Sequence, residues 1–420
     1  MLPRMSGRRG LRLVFSLLLT TFLVLNVQEA SAAGRARWVA SWAASPVVGS
    51  VIPWSDCPAG TGLTDQTVRN VVFVSAGGGL VRVRFTNAFG TTPLRVGHAS
   101  VAVQAFDANA VPGSVRELRF HGRRGVTVPA GGELFSDPVS LRVAALSTLL
   151  VSVYVPGPTG PVTNHPFTAQ GNFLATGDQS VDVGGADYGG TPCWMLADGV
   201  DVVPNRPVVG SVVALGDSIT DTSATTGNAN HRWPDFLARR LDAVHGPTMS
   251  VVNAGLGGNR VLAPREGEPF YGIPALDRLE RDVFTQTGVR TVILLEGVND
   301  IGFDASAPEL IAGLREIADR THAAGLRIIG GTITPFGGSF IETPARNATW
   351  AAVNDWIRHS GTFDAVVDFA AATGDPHNPL ALNPAYDSGD HLHPNDAGTE
   401  TMAAAIDLSV LFPHHRVLAG

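Results

Sequence analysis

At 420 residues, with 44% apolar side chains and a formal charge of −7, the chain has length for two domains and lacks the basic surplus that nucleic acid or an anionic membrane surface would demand. Lysine is absent, so every fixed positive side-chain charge is arginine. This excludes lysine Schiff-base chemistry and a phosphate-loop lysine.

Arg4, Arg8, Arg9 and Arg12 precede an uncharged apolar run from Leu13 to Val27, followed by the small-residue string Ala30-Ser31-Ala32-Ala33. That three-part design reads as a signal peptide over residues 1–32. Its apolar run is shorter than the roughly 20 residues a spanning helix needs. A secreted protein without stable membrane insertion is therefore expected. In an oxidising compartment the only two cysteines, Cys57 and Cys193, are expected to pair as one disulfide, two unpaired thiols being the alternative.

From Trp38 to Val203, short β-branched runs alternate with Gly, Pro, Asn and Asp clusters, and helical periodicity is scarce. In Leu80 to Thr86, Val81, Val83 and Phe85 fall on one face and Arg82 and Arg84 on the other. Val151, Val153 and Val155 repeat the alternation. Residues 33–205 are thus predicted to form a β-sandwich or jelly roll. Trp38, Trp42 and Trp54 could line a sugar-stacking surface, though the reading favours buried anchors.

Over residues 206–420 apolar strands alternate with longer helical stretches, which predicts a parallel sheet flanked by helices, an α/β fold. Strands are expected at 208–215, 249–253, 291–295, 326–333 and 365–368. Helices are expected at 308–324, 344–359 and 394–408, each beginning with a proline, which the first helical position tolerates.

Four strings carry chemistry. Gly216-Asp217-Ser218 ends the first of these strands, where parallel α/β folds gather their sites. Asp390-His391-Leu392-His393 places a carboxylate three residues before an imidazole, close enough to fix its tautomer. His391 with His393 could instead be half of a metal site, but no string supplies the further ligands. Asn253 to Asn259 is glycine-rich, allowing close backbone approach, and Gly297-Val298-Asn299-Asp300 offers an amide side chain. The string Gly337-Gly338-Ser339 lacks the last glycine of G-x-S-x-G, since Ile341 stands there. It reads as a substrate-side loop.

In this order the strings resemble the SGNH/GDSL hydrolase family, and the resemblance spans roughly residues 208–411. It implies a flavodoxin-like domain in which Ser218 is the nucleophile and Asp390 and His393 complete a triad. The oxyanion donors would be the Ser218 amide, Gly258 (or Gly257, one residue earlier) and Asn299. It further implies a serine esterase needing no metal or organic cofactor, whose partner is a small-molecule or polysaccharide ester. Acetyl esters of carbohydrate, small acyl or aryl esters and lipids are the substrate classes in view. An acyltransferase would use the same residues, and a decayed glycan-binding protein is the alternative of another class.

Overall fold

The computed structural model describes residues 37–221 and 224–412. The leader read over residues 1–32 lies outside them. Cys57 and Cys193 form a disulfide across a sequence separation of 136 residues. Closing a loop of that length restricts the unfolded chain by an amount worth about 5 kcal/mol on chain-entropy grounds.

The N-terminal half is a sandwich of two antiparallel sheets. In one, the strand order is Val39–Ala43, Ala197–Pro204, Gly78–Thr86 and Val139–Val143, with Glu133–Phe135 also pairing Gly78–Thr86. The other is built around Gln66–Val74, Ser147–Val155 and His98–Phe106. Val81, Val83, Phe85, Val151, Val153 and Val155 are fully buried between them. The opposite face of the first sheet is covered as well. Arg84 is buried against Asp198 (2.8 Å), and Arg82 pairs with Asp201 (2.7 Å). The cover is the second half of the chain: Ala40 and Ala43 belong to its core, and Arg82 donates to Thr287 Oγ1 (3.3 Å).

That second half runs β1 (Val208–Gly216), α1 (Ser218–Asp221), α2 (Trp233–Asp242), β2 (Thr248–Gly255), α3 (Ala275–Leu279), β3 (Val289–Leu295), α4 (Val298–Gly302), α5 (Ala307–Ala323), β4 (Arg327–Gly331), α6 (Pro344–His359), β5 (Ala365–Val367), α7 (Phe369–Thr373) and α8 (Asp396–Ala404). The sheet is parallel throughout in the order β2-β1-β3-β4-β5. This is the flavodoxin-like arrangement, whose ligand crevice opens at the carboxyl ends of the strands flanking the switch in order. Central β1 is covered on both faces, so Val212, Val213, Ala214 and Leu215 form an unbroken, fully buried apolar run.

The helices start where their caps dictate. Ser306 and Glu309 form a capping box on α5, Thr343 accepts from Arg346 N at the start of α6, and Asn395 accepts from Gly398 N at the start of α8. The last helix is shorter than expected because Asn395 caps it and a separate 3-10 turn takes up Leu408–Leu411. Trp233, in α2, is fully buried. Among the described residues, no helix is long and apolar enough to cross a membrane.

Candidate active site

Ser218 is the first residue of α1, two residues beyond the end of β1. Its Oγ lies 2.9 Å from His393 Nε2, and His393 Nδ1 lies 2.6 Å from Asp390 Oδ2. The other oxygen, Asp390 Oδ1, accepts from the backbone N–H groups of His393 (2.8 Å) and Leu392 (2.9 Å). Burial acts to raise the Asp390 carboxyl, but these hydrogen bonds outweigh it and hold the group well below the usual carboxylate range. Asp390 is therefore ionised, and it holds the proton of His393 on Nδ1, leaving Nε2 to accept from the serine hydroxyl. His391 does not join this chain: its Nδ1 meets Asp387 Oδ2 at 2.5 Å.

The loops after β2 and β3 bring two further groups to the same place. Gly258 adopts φ +72°, and a Cβ there would come within 2.3 Å of the Tyr271 ring, so only glycine fits. The Gly257 N–H donates to Asp221 Oδ2 (2.8 Å), whereas that of Gly258 has no hydrogen-bond partner among the described residues. Asn299 Oδ1 accepts from Arg265 Nη2 (2.8 Å), and its buried Nδ2 has no partner among the described residues. Arg265 also donates from Nε to Gly258 O (2.9 Å), so one guanidinium fixes both groups.

Residues 214–400 match the family model described as GDSL-like Lipase/Acylhydrolase family. This stretch is a GDSL-like lipase/acylhydrolase domain, which supports a serine esterase of the SGNH/GDSL type. Among solved structures it is similar to the native aryl esterase of M. smegmatis, at 15% identity and a TM-score of 0.40, covering 48% of this chain and 99% of that one. It is also similar to the lipase/acylhydrolase of Enterococcus faecalis, at 23% identity and a TM-score of 0.36, over 46% of this chain and 92% of that one. A GDSL-like lipase from Bacteroides thetaiotaomicron matches at 20% identity and a TM-score of 0.35, over 48% and 87% of the two chains. No curated protein matches the chain.

Beneath the site, the GDSL-like domain buries charge that no motif announced. Arg278, fully buried, donates from Nη2 to Gly216 O (2.9 Å), from Nη1 to Ala254 O (2.7 Å) and from Nε to Asn259 Oδ1 (2.8 Å). It thereby ties the ends of β1 and β2 together below Ser218. Glu296 lies 3.6 Å from the same guanidinium. Burial, reinforced by the nearby Asp217 carboxyl, pushes Glu296 well above its ordinary range.

Burial likewise pushes Asp217 up to about 7, against the Ile219 N–H it accepts and the nearby His393. An unfolded aspartate titrates near about 3.9, so between the two values the folded state holds a proton that the unfolded state has released. Asp217 therefore removes stability as pH rises from about 4 to about 7. Asp217→Asn keeps the acceptor for Ile219 but cannot ionise. Its melting temperature relative to the native protein is expected to climb between pH 5 and pH 8; a difference that stays constant across that range would contradict the assignment.

Ser218, Gly257, Gly258, Asn299 and His393 face a cavity of about 320 Å³ that Phe167, Arg265, Tyr271, Phe340 and Leu392 also line. Phe340, 84% exposed, stands in the loop read from Gly337-Gly338-Ser339. Phe167 also borders a neighbouring trough of about 530 Å³ whose walls, including Trp54, come from the sandwich. Of the three N-terminal tryptophans only Trp42 is fully buried. Trp38 is half-buried, with Arg82 4.7 Å above its ring, and Trp54 is 61% exposed. The buried-anchor reading thus fails for Trp54, which lacks the strand alternation that would have reported its direction.

Proposed function

We propose that the chain is a secreted carboxylic ester hydrolase working through a Ser218-His393-Asp390 triad and an acyl-enzyme. The observation that carries this is the unbroken hydrogen-bond chain from Asp390 through His393 to Ser218, facing the partnerless donors of Gly258 and Asn299. His393 Nε2 takes the Ser218 proton as Oγ attacks the ester carbonyl carbon. The negative charge passes to the carbonyl oxygen, where the amides of Ser218 and Gly258 and the Asn299 side chain receive it. Gly258, not Gly257, is the glycine donor, because Asp221 already holds the Gly257 N–H. The carbon–oxygen bond to the alcohol then breaks, and the alcohol leaves with the proton from His393. Water, deprotonated by the same imidazole, attacks the acyl carbon; Ser218 is released and reprotonated, and the carboxylic acid departs.

The small, aromatic-walled cavity suits a short acyl group, and the adjoining trough with exposed Trp54 suits a ring-shaped alcohol, either sugar or aryl. Export fits the leader string and the disulfide. Release of 4-nitrophenol from acetyl, butyryl and long-chain esters, and of acetate from acetylated oligosaccharides, tests the reading. Acetyl preference with activity on the oligosaccharide supports it. Long-chain preference replaces it with a lipase, and ester products formed from an added alcohol replace it with a transferase.

A further inference from the structure

The sandwich half contributes a side chain to the network that holds the oxyanion loop. His165 lies on the two-residue strand Asn164–His165, paired with Trp194–Met195. It is buried, and each ring nitrogen meets hydrogen-bond acceptors: Nδ1 faces Ser45 O (2.7 Å), while Nε2 faces Phe167 O (3.0 Å) and Asp221 Oδ1 (2.9 Å). Carbonyl oxygens only accept, so both nitrogens must carry protons and the ring is an imidazolium. Burial alone would favour the neutral ring; the Asp221 carboxylate and the two carbonyls reverse that and raise its pKa.

Asp221 ends the short helix that Ser218 begins, and its second oxygen is the acceptor that holds the Gly257 N–H. The path from sandwich to oxyanion loop is therefore His165, Asp221, Gly257, then the adjacent Gly258 amide. The disulfide braces its origin: Cys193 precedes Trp194, whose backbone pairs with His165, and Asn164 Nδ2 lies 3.6 Å from Cys57 Sγ. Without the cation, Asp221 would be a buried charge lacking its partner and would no longer be held against the loop.

We infer that His165 is a positioning residue of the esterase, which sets the Gly258 donor through Asp221 and makes the sandwich an integral part of the catalytic site. This rests on the triad reading above. Displacing one oxyanion donor without deleting it acts on the transition state more than on ester binding. His165→Ala is therefore expected to lower kcat about 10–100-fold with KM changed less than about threefold, short of the roughly 10²–10³-fold that deleting a donor outright costs elsewhere. Its affinity for a boronic acid, which forms a tetrahedral adduct on the serine, should fall in parallel.

Asp221→Asn, of equal volume, provides a second variant should His165→Ala fail to fold, and it should show the same kcat-selective loss. A folded His165→Ala or Asp221→Asn protein with native kcat, or one in which only KM rises, overturns the inference. Activity persisting in Ser218→Ala would instead overturn the triad reading, so the two failures are distinguishable.

Discussion

Alanine at Ser218 is expected to reduce ester hydrolysis by about 10⁴–10⁶-fold, and alanine at His393 by a similar factor, the scale seen when triad members are deleted from other serine hydrolases. The reason is geometric. With Ser218 Oγ 2.9 Å from His393 Nε2, proton transfer and attack can proceed together. Removing either partner leaves the donors of the oxyanion site but no activated nucleophile. The losses should not add: Ser218→Ala/His393→Ala should be about as inactive as either single variant, because the residues act as one unit. Steady-state rates with 4-nitrophenyl acetate decide this. If His393→Ala keeps near-native activity while Ser218→Ala is inactive, another group is the base.

Asn299→Ala is expected to lower kcat by about 10²–10³-fold with a much smaller change in KM, equivalent to roughly 2.7–4 kcal/mol of transition-state stabilisation. The buried Nδ2 of Asn299 has no partner among the described residues while Oδ1 is held by Arg265. In the proposed mechanism the amide is thus free to receive the oxyanion, and that readiness carries no reorganisation cost during reaction. Asn299→Asp, which exchanges the donor for a carboxylate facing the same place, should be worse than alanine. A variant whose KM rises while kcat stays native would assign Asn299 to ground-state binding.

Much of the architecture is legible in local patterns. The doubly covered β1 announces itself as a continuous apolar run, and prolines at 308 and 344 mark the starts of the two long helices. Ser218, Asn299, Asp390 and His393 are legible for the same reason, since each stands in a short string at the end of an element. What was illegible depends on contacts between distant segments. His165 meets Asp221 across 56 residues, and Arg278 reaches Ser45 across 233. His165 has no neighbour in sequence that hints at its partner, and the i,i+4 pair of Arg278 with Asp282 (3.2 Å) says nothing of the carbonyls and the hydroxyl it reaches. Arg84 misleads in another way: strand alternation places it opposite the sandwich core, yet that face is itself covered, so the arginine is buried against Asp198.

One measurement bears most directly on Ser218 as the nucleophile: intact-protein mass spectrometry and peptide mapping of samples acid-quenched during turnover of 4-nitrophenyl acetate. A single added acetyl group located on Ser218, and absent from Ser218→Ala, is the expected result. An acetyl group on another residue would contradict the assignment.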